Sequence, residues 1–266
     1  MKDLIQTNRF CNELHDGEKI IFCKRDYIHS EFEMISKKKN KVILIIGNSD
    51  FSFTDSELSL CPSNVHHIFV SNTTCNNEKV TPIPIGVENQ YECLRKGHGI
   101  INHHIFQKLD YLNGIKKVDV EKNEDKVFAS FNVSTNYGLR NPLRNYVMNN
   151  QNCFFYFDAN NYENFVKNAK KHLVTLSPRG NGIECIRTYE LLYLDEIPLV
   201  FGNKQEYSAI YNKIYKNLPI IFFDNYEDVT DIPKIKKEIK NFSLYGKELL
   251  DFSYWRDLIL KKSEEI

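Results

Sequence analysis

Apolar residues in this chain gather into short, β-branched or aromatic runs bounded by Gly, Asn, Ser or Pro, and the polar stretches between them carry apolar positions at helical spacing. The runs Glu18 to Cys23, Lys41 to Gly47, His66 to Ser71 and Val80 to Val87 predict a first set of strands. Lys126 to Asn132, Cys153 to Asp158, His172 to Ser177, Ile197 to Phe201 and Pro219 to Phe223 predict a second. Such nearly continuous apolar runs suit parallel strands covered on both faces. Helices are expected over Arg144 to Asn149, Tyr162 to Lys170, Ile183 to Leu194, Tyr207 to Lys216, Ile232 to Asn241 and Tyr254 to Lys262. Gly97 to Asp125, ending in the charged run Lys116 to Lys126, reads as helix plus linker. The pattern therefore predicts an α/β protein of two doubly wound halves, residues 1–120 and 121–266, with ligand bound in a cleft at the carboxyl ends of the strands.

Three polar loops fall at such strand ends: Gly47 to Asp50, Asn132 to Arg140 and Ser177 to Gly182. A rigid sheet places loops there in register with one another, which is where sites form. The third loop is the richest. Leu176-Ser177-Pro178-Arg179-Gly180-Asn181-Gly182 leads into the helical run Ile183 to Leu194, so glycine turns and free helix N–H groups would meet an anion such as a nucleotide diphosphate. Glu184, Arg187 and Glu190 recur every three residues and place a cation and carboxylates on one face. A solvated i,i+3 ion-pair face explains the same spacing. Arg140, Arg179 and Arg187 are the candidate diphosphate ligands, because guanidinium forks match phosphate oxygens and stay charged. Arg144 reads as the weaker member of an Arg140 and Arg144 pair that a solvated face would also produce. Thr135 and Asn136 either bind phosphate or cap the helix that follows. Tyr189 and Tyr193 read as core. Asp50 is the candidate general base, set against an Asx turn or a helix cap before Phe51 to Leu58. His66 and His67 are weaker candidates for the same role.

Thirty-five basic and thirty-five acidic residues balance to zero net charge, which removes the bulk electrostatic case for nucleic acid or an anionic membrane as main partner. The seven cysteines form no Cys-x-x-Cys pair and are odd in number, which suits reduced thiols better than a disulfide framework or a zinc site. No stretch reaches the roughly 18 apolar residues of a membrane span, and the first residues lack an apolar leader, so a soluble, cytoplasmic protein is expected. The heavy use of Lys, Asn and Ile matches an AT-rich coding genome, bacterial or viral. No Gly-x-Gly-x-x-Gly follows an early strand, which disfavours a dehydrogenase or epimerase. No Asp-x-Asp is present to hold a metal-bound diphosphate.

The run Ser-Pro-Arg-Gly-Asn-Gly, then Arg-Thr-Tyr-Glu, then Ile-Pro-Leu-Val resembles the donor-binding segment of exostosin-like glycosyltransferases. Val80 to Asn89 is similar to the proline-glycine segment closing the N-terminal Rossmann-like half of GT-B transferases. Phe131 to Arg140 and Phe252 to Trp255 also suit the family. The resemblance implies a GT-B-like fold with a small N-terminal half. It also implies a nucleotide-sugar donor, a glycan hydroxyl as acceptor, inversion at the transferred carbon, and no cofactor or metal. Ser177, Gly180, Asn181 and Glu184 would join the arginines, Thr135 and Asn136 around the donor, and Glu190 would hold the ribose. Retaining relatives often carry an acidic residue where Gly182 stands. The small first half leaves room for a shared acceptor side in a homo-oligomer. Two other readings stay open: a non-catalytic nucleotide-sugar-binding domain, and an interaction protein whose Ser177 to Glu190 segment is only a tight turn.

Overall fold

The computed structural model describes residues 3–100, 106–114, 120–157, 161–242 and 246–266. In the first part, α1 (Thr7–Leu14), β1 (Ile20–Lys24), α2 (Ile28–Ser36), β2 (Val42–Gly47), α3 (Asp55–Ser59), β3 (Val65–Val70) and β4 (Val80–Pro82) follow one another. The four strands form a parallel sheet in chain order, β1-β2-β3-β4. In β2, Val-Ile-Leu-Ile-Ile-Gly is buried at every position, because both faces of the sheet are covered. Ile43 and Ile45 join Ile20, Phe22 and Phe69 on one face, while Leu44 and Ile46 join Ile21, Ile68 and Val70 against Ile28, Phe32 and Ile35 of α2 on the other.

Beyond α4 (Phe106–Gly114), the chain alternates β5 (Val127–Ala129), α5 (Tyr137–Asn149), β6 (Phe154–Tyr156), α6 (Tyr162–Lys170), β7 (Thr175–Pro178), α7 (Ile186–Tyr193), β8 (Pro198–Phe201), α8 (Lys204–Lys213) and β9 (Ile221–Phe223). Helices α9 (Tyr226–Thr230), α10 (Ile232–Lys240) and α11 (Phe252–Ser263) complete it. This second sheet is also parallel, in the order β6-β5-β7-β8-β9. Winding proceeds outward from β5 to β6, then reverses and continues from β7 to β9. The reversal opens a crevice between the carboxyl ends of β5 and β7. The first sheet has no such reversal.

Each sheet keeps an apolar cluster of its own on one face, and a third cluster joins the two. Phe10, Leu14, Ile43, Ile45 and Phe69 of the first part share one apolar cluster with Phe128, Tyr189, Leu192, Tyr207 and Ile210 of the second and with Phe252, Trp255 and Ile259 of α11. Helix α11 packs on β2 and α1, so the end of the chain covers the sheet formed by its beginning. The Tyr193 hydroxyl stitches the parts further, accepting from the Ile5 N–H at 2.9 Å and donating to the Leu250 carbonyl at 2.6 Å.

Several elements depart from the sequence reading for identifiable reasons. The run to Val87 is a strand only to Pro82. Pro82 and Pro84 bring no N–H, and Gly86, at φ +68°, turns to bridge Gln6. Helix α5 begins at Tyr137 rather than Arg144, capped by Asn136, whose side chain accepts from the Leu139 N–H. Helix α7 begins at Ile186 rather than Ile183, because Cys185 is extended and Glu184 is held by another loop. Asp50 caps no helix: α3 starts at Asp55, and Glu57 accepts the Thr54 N–H at 3.0 Å. The expectation that all cysteines are reduced is corrected at one pair. Cys11 and Cys93 form a disulfide with Cα atoms 6.0 Å apart, because α1 runs beside the loop after β4. Cys23, Cys61, Cys75, Cys153 and Cys185 are free thiols. Asp158, and Lys116 to Asp119 of the charged run, lie outside the described residues. Among the described residues no helix is long and apolar enough to cross a membrane.

Candidate functional site

Two cavities open at the carboxyl ends of the strands. One, of about 400 Å³, lies at the crevice beside β5 and is lined by Ser130, Phe131, Asn132, Val133, Arg144, Tyr156 and Arg187. The Arg187 guanidinium donates to the Ser130 carbonyl and stacks 4.6 Å above the Phe165 ring. The Arg144 guanidinium lies 5.8 Å from the Tyr156 ring. Both Arg144 Nε and Arg187 Nε are buried with no hydrogen-bond partner among the described residues. Two cations beside two aromatic rings suit a ligand that is anionic at one end and planar or apolar at the other.

The second cavity, of about 560 Å³, lies between the two sheets. Thr7, Lys24, Asp26, Asn48, Ser49, Asp50, Phe51, Ile85, Val87, Glu88, Asn89 and Ile100 of the first part line it together with Asn181 and Ile186 of the second. The Asn181 amide donates to Asp50 Oδ2 at 3.2 Å across the cleft. The walls are fixed by a buried asparagine triad. Asn8 N–H donates to Asn89 Oδ1 at 2.7 Å, Asn48 Nδ2 to Asn8 Oδ1 at 2.6 Å, and Asn89 Nδ2 to Asn48 Oδ1 at 3.1 Å. The remaining amide hydrogens reach the carbonyls of Tyr91, His98 and Ile100, so the loop after β4 is held to α1 and β2. Asn48 adopts φ 53°, a left-handed turn that asparagine tolerates.

The residues expected to bind donor divide between ligand-facing and structural positions. Arg187 faces the smaller cavity and Asn181 the larger. Arg140 faces neither. It is buried, and its guanidinium donates to the carbonyls of Arg179 at 2.9 Å, Asn132 at 2.8 Å and Pro178 at 2.9 Å, so it staples the loops after β5 and β7 together. Burial pushes its pKa down. Arg179 is turned to Glu206 at 2.7 Å and to the Asn181 carbonyl at 3.1 Å. Asn136 Nδ2 donates to the Gly180 carbonyl at 2.8 Å, and a Cβ on Gly180 would lie 3.2 Å from Thr135 Cγ2, so Thr135 and Asn136 pack the two loops against each other. Ser177 is buried, its hydroxyl 3.0 Å from that of Thr188.

Glu184 lies outside both cavities, on the seam between the parts. Its N–H donates to Asn72 Oδ1 at 2.8 Å, its carboxylate accepts from the Asn72 N–H at 3.4 Å, and the Tyr189 hydroxyl donates to it. Burial raises its pKa to about 7 against these bonds, which lower it. Gly182 is small for the same reason: a Cβ there would sit 2.9 Å from the Asn72 amide. Glu190, only 5% exposed, pairs with Lys108 Nζ at 3.3 Å, and Lys108 also meets Glu88 at 3.2 Å. Desolvation depresses the lysine, but the two carboxylates outweigh it and hold its pKa above the usual value. His66 lies beside Glu265 at 3.2 Å, and His67 is buried beside Thr81 with its pKa pushed down to about 4.

Arg144, Ser130, Tyr156, Lys24, Asp26, Glu88 and Lys108 are the positions the sequence reading left out or ranked low. Ser130 follows the end of β5, Tyr156 ends the neighbouring β6, and Arg144 is one turn beyond Arg140, so strand-end placement was the available signal. Lys108 carried none, since it reaches Glu190 only through the tertiary fold. No group of three or more His, Cys, Asp or Glu side chains placed to hold a metal ion occurs among the described residues. No protein-family model matches this chain, and no curated protein matches it.

Proposed function

We propose that this chain is a metal-independent, exostosin-like glycosyltransferase of the GT-B type that transfers a sugar from a nucleotide-sugar to a glycan hydroxyl with inversion. The observation that carries this reading is the pairing of the two cavities. An arginine- and aromatic-lined pocket at the crevice of the second sheet and a carboxylate-bearing cleft facing the first meet at the start of α7, where Arg187 lines one and Ile186 the other. In this reading the nucleotide occupies the smaller cavity. Its base or ribose lies against Tyr156 and Phe131, and its diphosphate is neutralised by Arg187 and Arg144 as the leaving-group charge develops. The acceptor enters the larger cavity, where Asp50 takes the proton of the attacking hydroxyl. Asn181, bound to Asp50 at 3.2 Å, holds that carboxylate toward the donor side.

A second reading rests on Lys108. Glu190, the expected ribose ligand, is already neutralised and nearly enclosed. A nucleotide-sugar-binding domain without turnover fits that arrangement equally well, with the ligand held in the arginine pocket alone.

Thermal shift against UDP, GDP, CMP and their sugars tests the shared premise, since a ligand specific for the folded chain raises the melting temperature. Stabilisation by one nucleotide, lost in both Arg187→Ala and Arg144→Ala, is expected. A flat response of the folded wild type to every nucleotide overturns both readings. With the binding nucleotide in hand, the transferase reading expects turnover that Asp50→Asn lowers by a factor of about 100 or more without loss of binding. Binding with no turnover across a glycan acceptor panel selects the second.

A further inference from the structure

At the opposite pole of the first sheet from the cleft, where β1 and β2 begin, a cavity of about 540 Å³ is lined by Glu18, Lys19, Lys39, Asn40, Lys41 and Ile266. The turn between α2 and β2 supplies Lys39 and Lys41. Strand pairing brings Lys19 beside them, with the Lys19 carbonyl accepting from the Ile43 N–H at 2.9 Å. The neighbouring Lys37 and Lys38 are engaged elsewhere, Lys37 with Glu33 at 2.6 Å and Lys38 with the Gly17 carbonyl at 2.9 Å. Lys19, Lys39 and Lys41 make no ion pair with any carboxylate among the described residues. This is so although Glu18 lines the same cavity and ion pairs are spread over the rest of the surface. The backbone N–H groups of Lys39, Asn40 and Lys41 carry no hydrogen bond within the described residues either, since the turn's bonds are made by Lys38 N–H to Ile35 and Val42 N–H to Asn64.

Three lysines share this concavity with one carboxylate side chain, Glu18, which leaves positive charge in excess, and the unbonded N–H groups of residues 39–41 add donors in the same turn. An anion with several oxygens satisfies both. We propose that Lys19, Lys39 and Lys41, with the backbone of residues 39–41, form a second anion-binding site that takes a phosphate-bearing group of two or more phosphates. Its chemistry does not depend on the function assigned to the cleft. The source of the phosphates is either a soluble polyphosphate-type ligand or a phosphorylated lipid headgroup.

Isothermal titration of the whole chain with inorganic pyrophosphate at low ionic strength tests the site, with two variants alongside. In the first, Lys19→Gln, Lys39→Gln and Lys41→Gln are combined. The second, Arg187→Ala, disables the arginine pocket of the cleft. The expected result is a binding step that persists in Arg187→Ala and weakens tenfold or more in the triple variant, whose melting temperature without ligand stays that of the wild type. A titration with no such step, or one that survives in the triple variant, overturns the proposal. If the triple variant does not fold, the same titration of wild type acetylated at lysine, with modified sites mapped by mass spectrometry under pyrophosphate protection, replaces it. Protection of Lys19, Lys39 and Lys41 supports the site, and equal modification with and without pyrophosphate overturns it. Co-sedimentation with phosphatidylcholine vesicles containing phosphatidylinositol bisphosphate then separates the sources. Retention that pyrophosphate competes away assigns the lipid headgroup, and no retention assigns a soluble ligand.

Discussion

Two arginines one helical turn apart, Arg140 and Arg144, have opposite fates. Arg140 spends its donors on three backbone carbonyls, so removing it leaves the buried Pro178 acceptor and two partly buried ones without that partner. Arg140→Ala is expected to cost about 3 kcal/mol of stability in urea denaturation. Arg144→Ala, with an Nε that has no partner to lose, is expected to leave the denaturation midpoint nearly unchanged while removing nucleotide-dependent stabilisation. Glu184 offers a pH signature. Its folded pKa of about 7 lies above the ordinary 4.5, so the folded state holds the proton more tightly than the unfolded chain does. Its contribution is complete below about pH 4.5 and fades as pH rises toward 7, by on the order of 3 kcal/mol. Glu184→Gln, which keeps an acceptor for Tyr189 but cannot ionise, is expected to flatten that part of the stability-versus-pH curve. An unchanged slope in the variant would assign the titration to another group.

At the level of elements, Gly86 is the tightest joint. A Cβ at this residue would lie 2.2 Å from the Ile5 carbonyl oxygen, and its φ of +68° strains any side chain. Gly86→Ala is therefore expected to cost several kcal/mol and to loosen the wall that carries Glu88 and Asn89, measurable as faster amide exchange at Val87, whose N–H bonds the Ile5 carbonyl. Strand positions were legible from the chain because a parallel strand covered on both faces must be apolar throughout. β2, buried at all positions, was found to within a residue at its start. Helix starts were less legible, since α5 and α7 begin where a side chain from elsewhere decides. Asn136 caps α5 while also holding the Gly180 carbonyl, and Asn72 fixes Glu184 outside α7. The helices α1 and α2 escaped the reading altogether: they are short, and their apolar faces are interrupted by Asn8, Asn12 and Glu31, whose partners lie far along the chain. At the site, the same limit applied. Arg187 could be placed from the glycine loop that precedes its helix, but the burial of Arg140 and the Lys108 bridge depend on carbonyls and carboxylates that only the assembled fold brings near.

For the whole molecule, the shared core joins what the strand pattern divides into halves. With Phe10, Phe69, Tyr189, Tyr207 and Trp255 in one cluster, neither sheet can lose the packing on its shared face alone. Calorimetry is expected to give one cooperative transition, with calorimetric and van't Hoff enthalpies equal; two resolved transitions would show that the parts unfold separately. A chain ending at Asp251 would lack Phe252, Trp255 and Ile259 and expose the face of β2 that α11 covers. The bond between Cys11 and Cys93 adds a topological consequence. It makes residues 11–93 a closed covalent ring that contains β1 to β4 and the lysine-rich turn. A protease that cuts once inside that ring linearises it without releasing a fragment. The nicked protein keeps its full mass plus one water under non-reducing conditions and separates into two pieces only after a thiol is added.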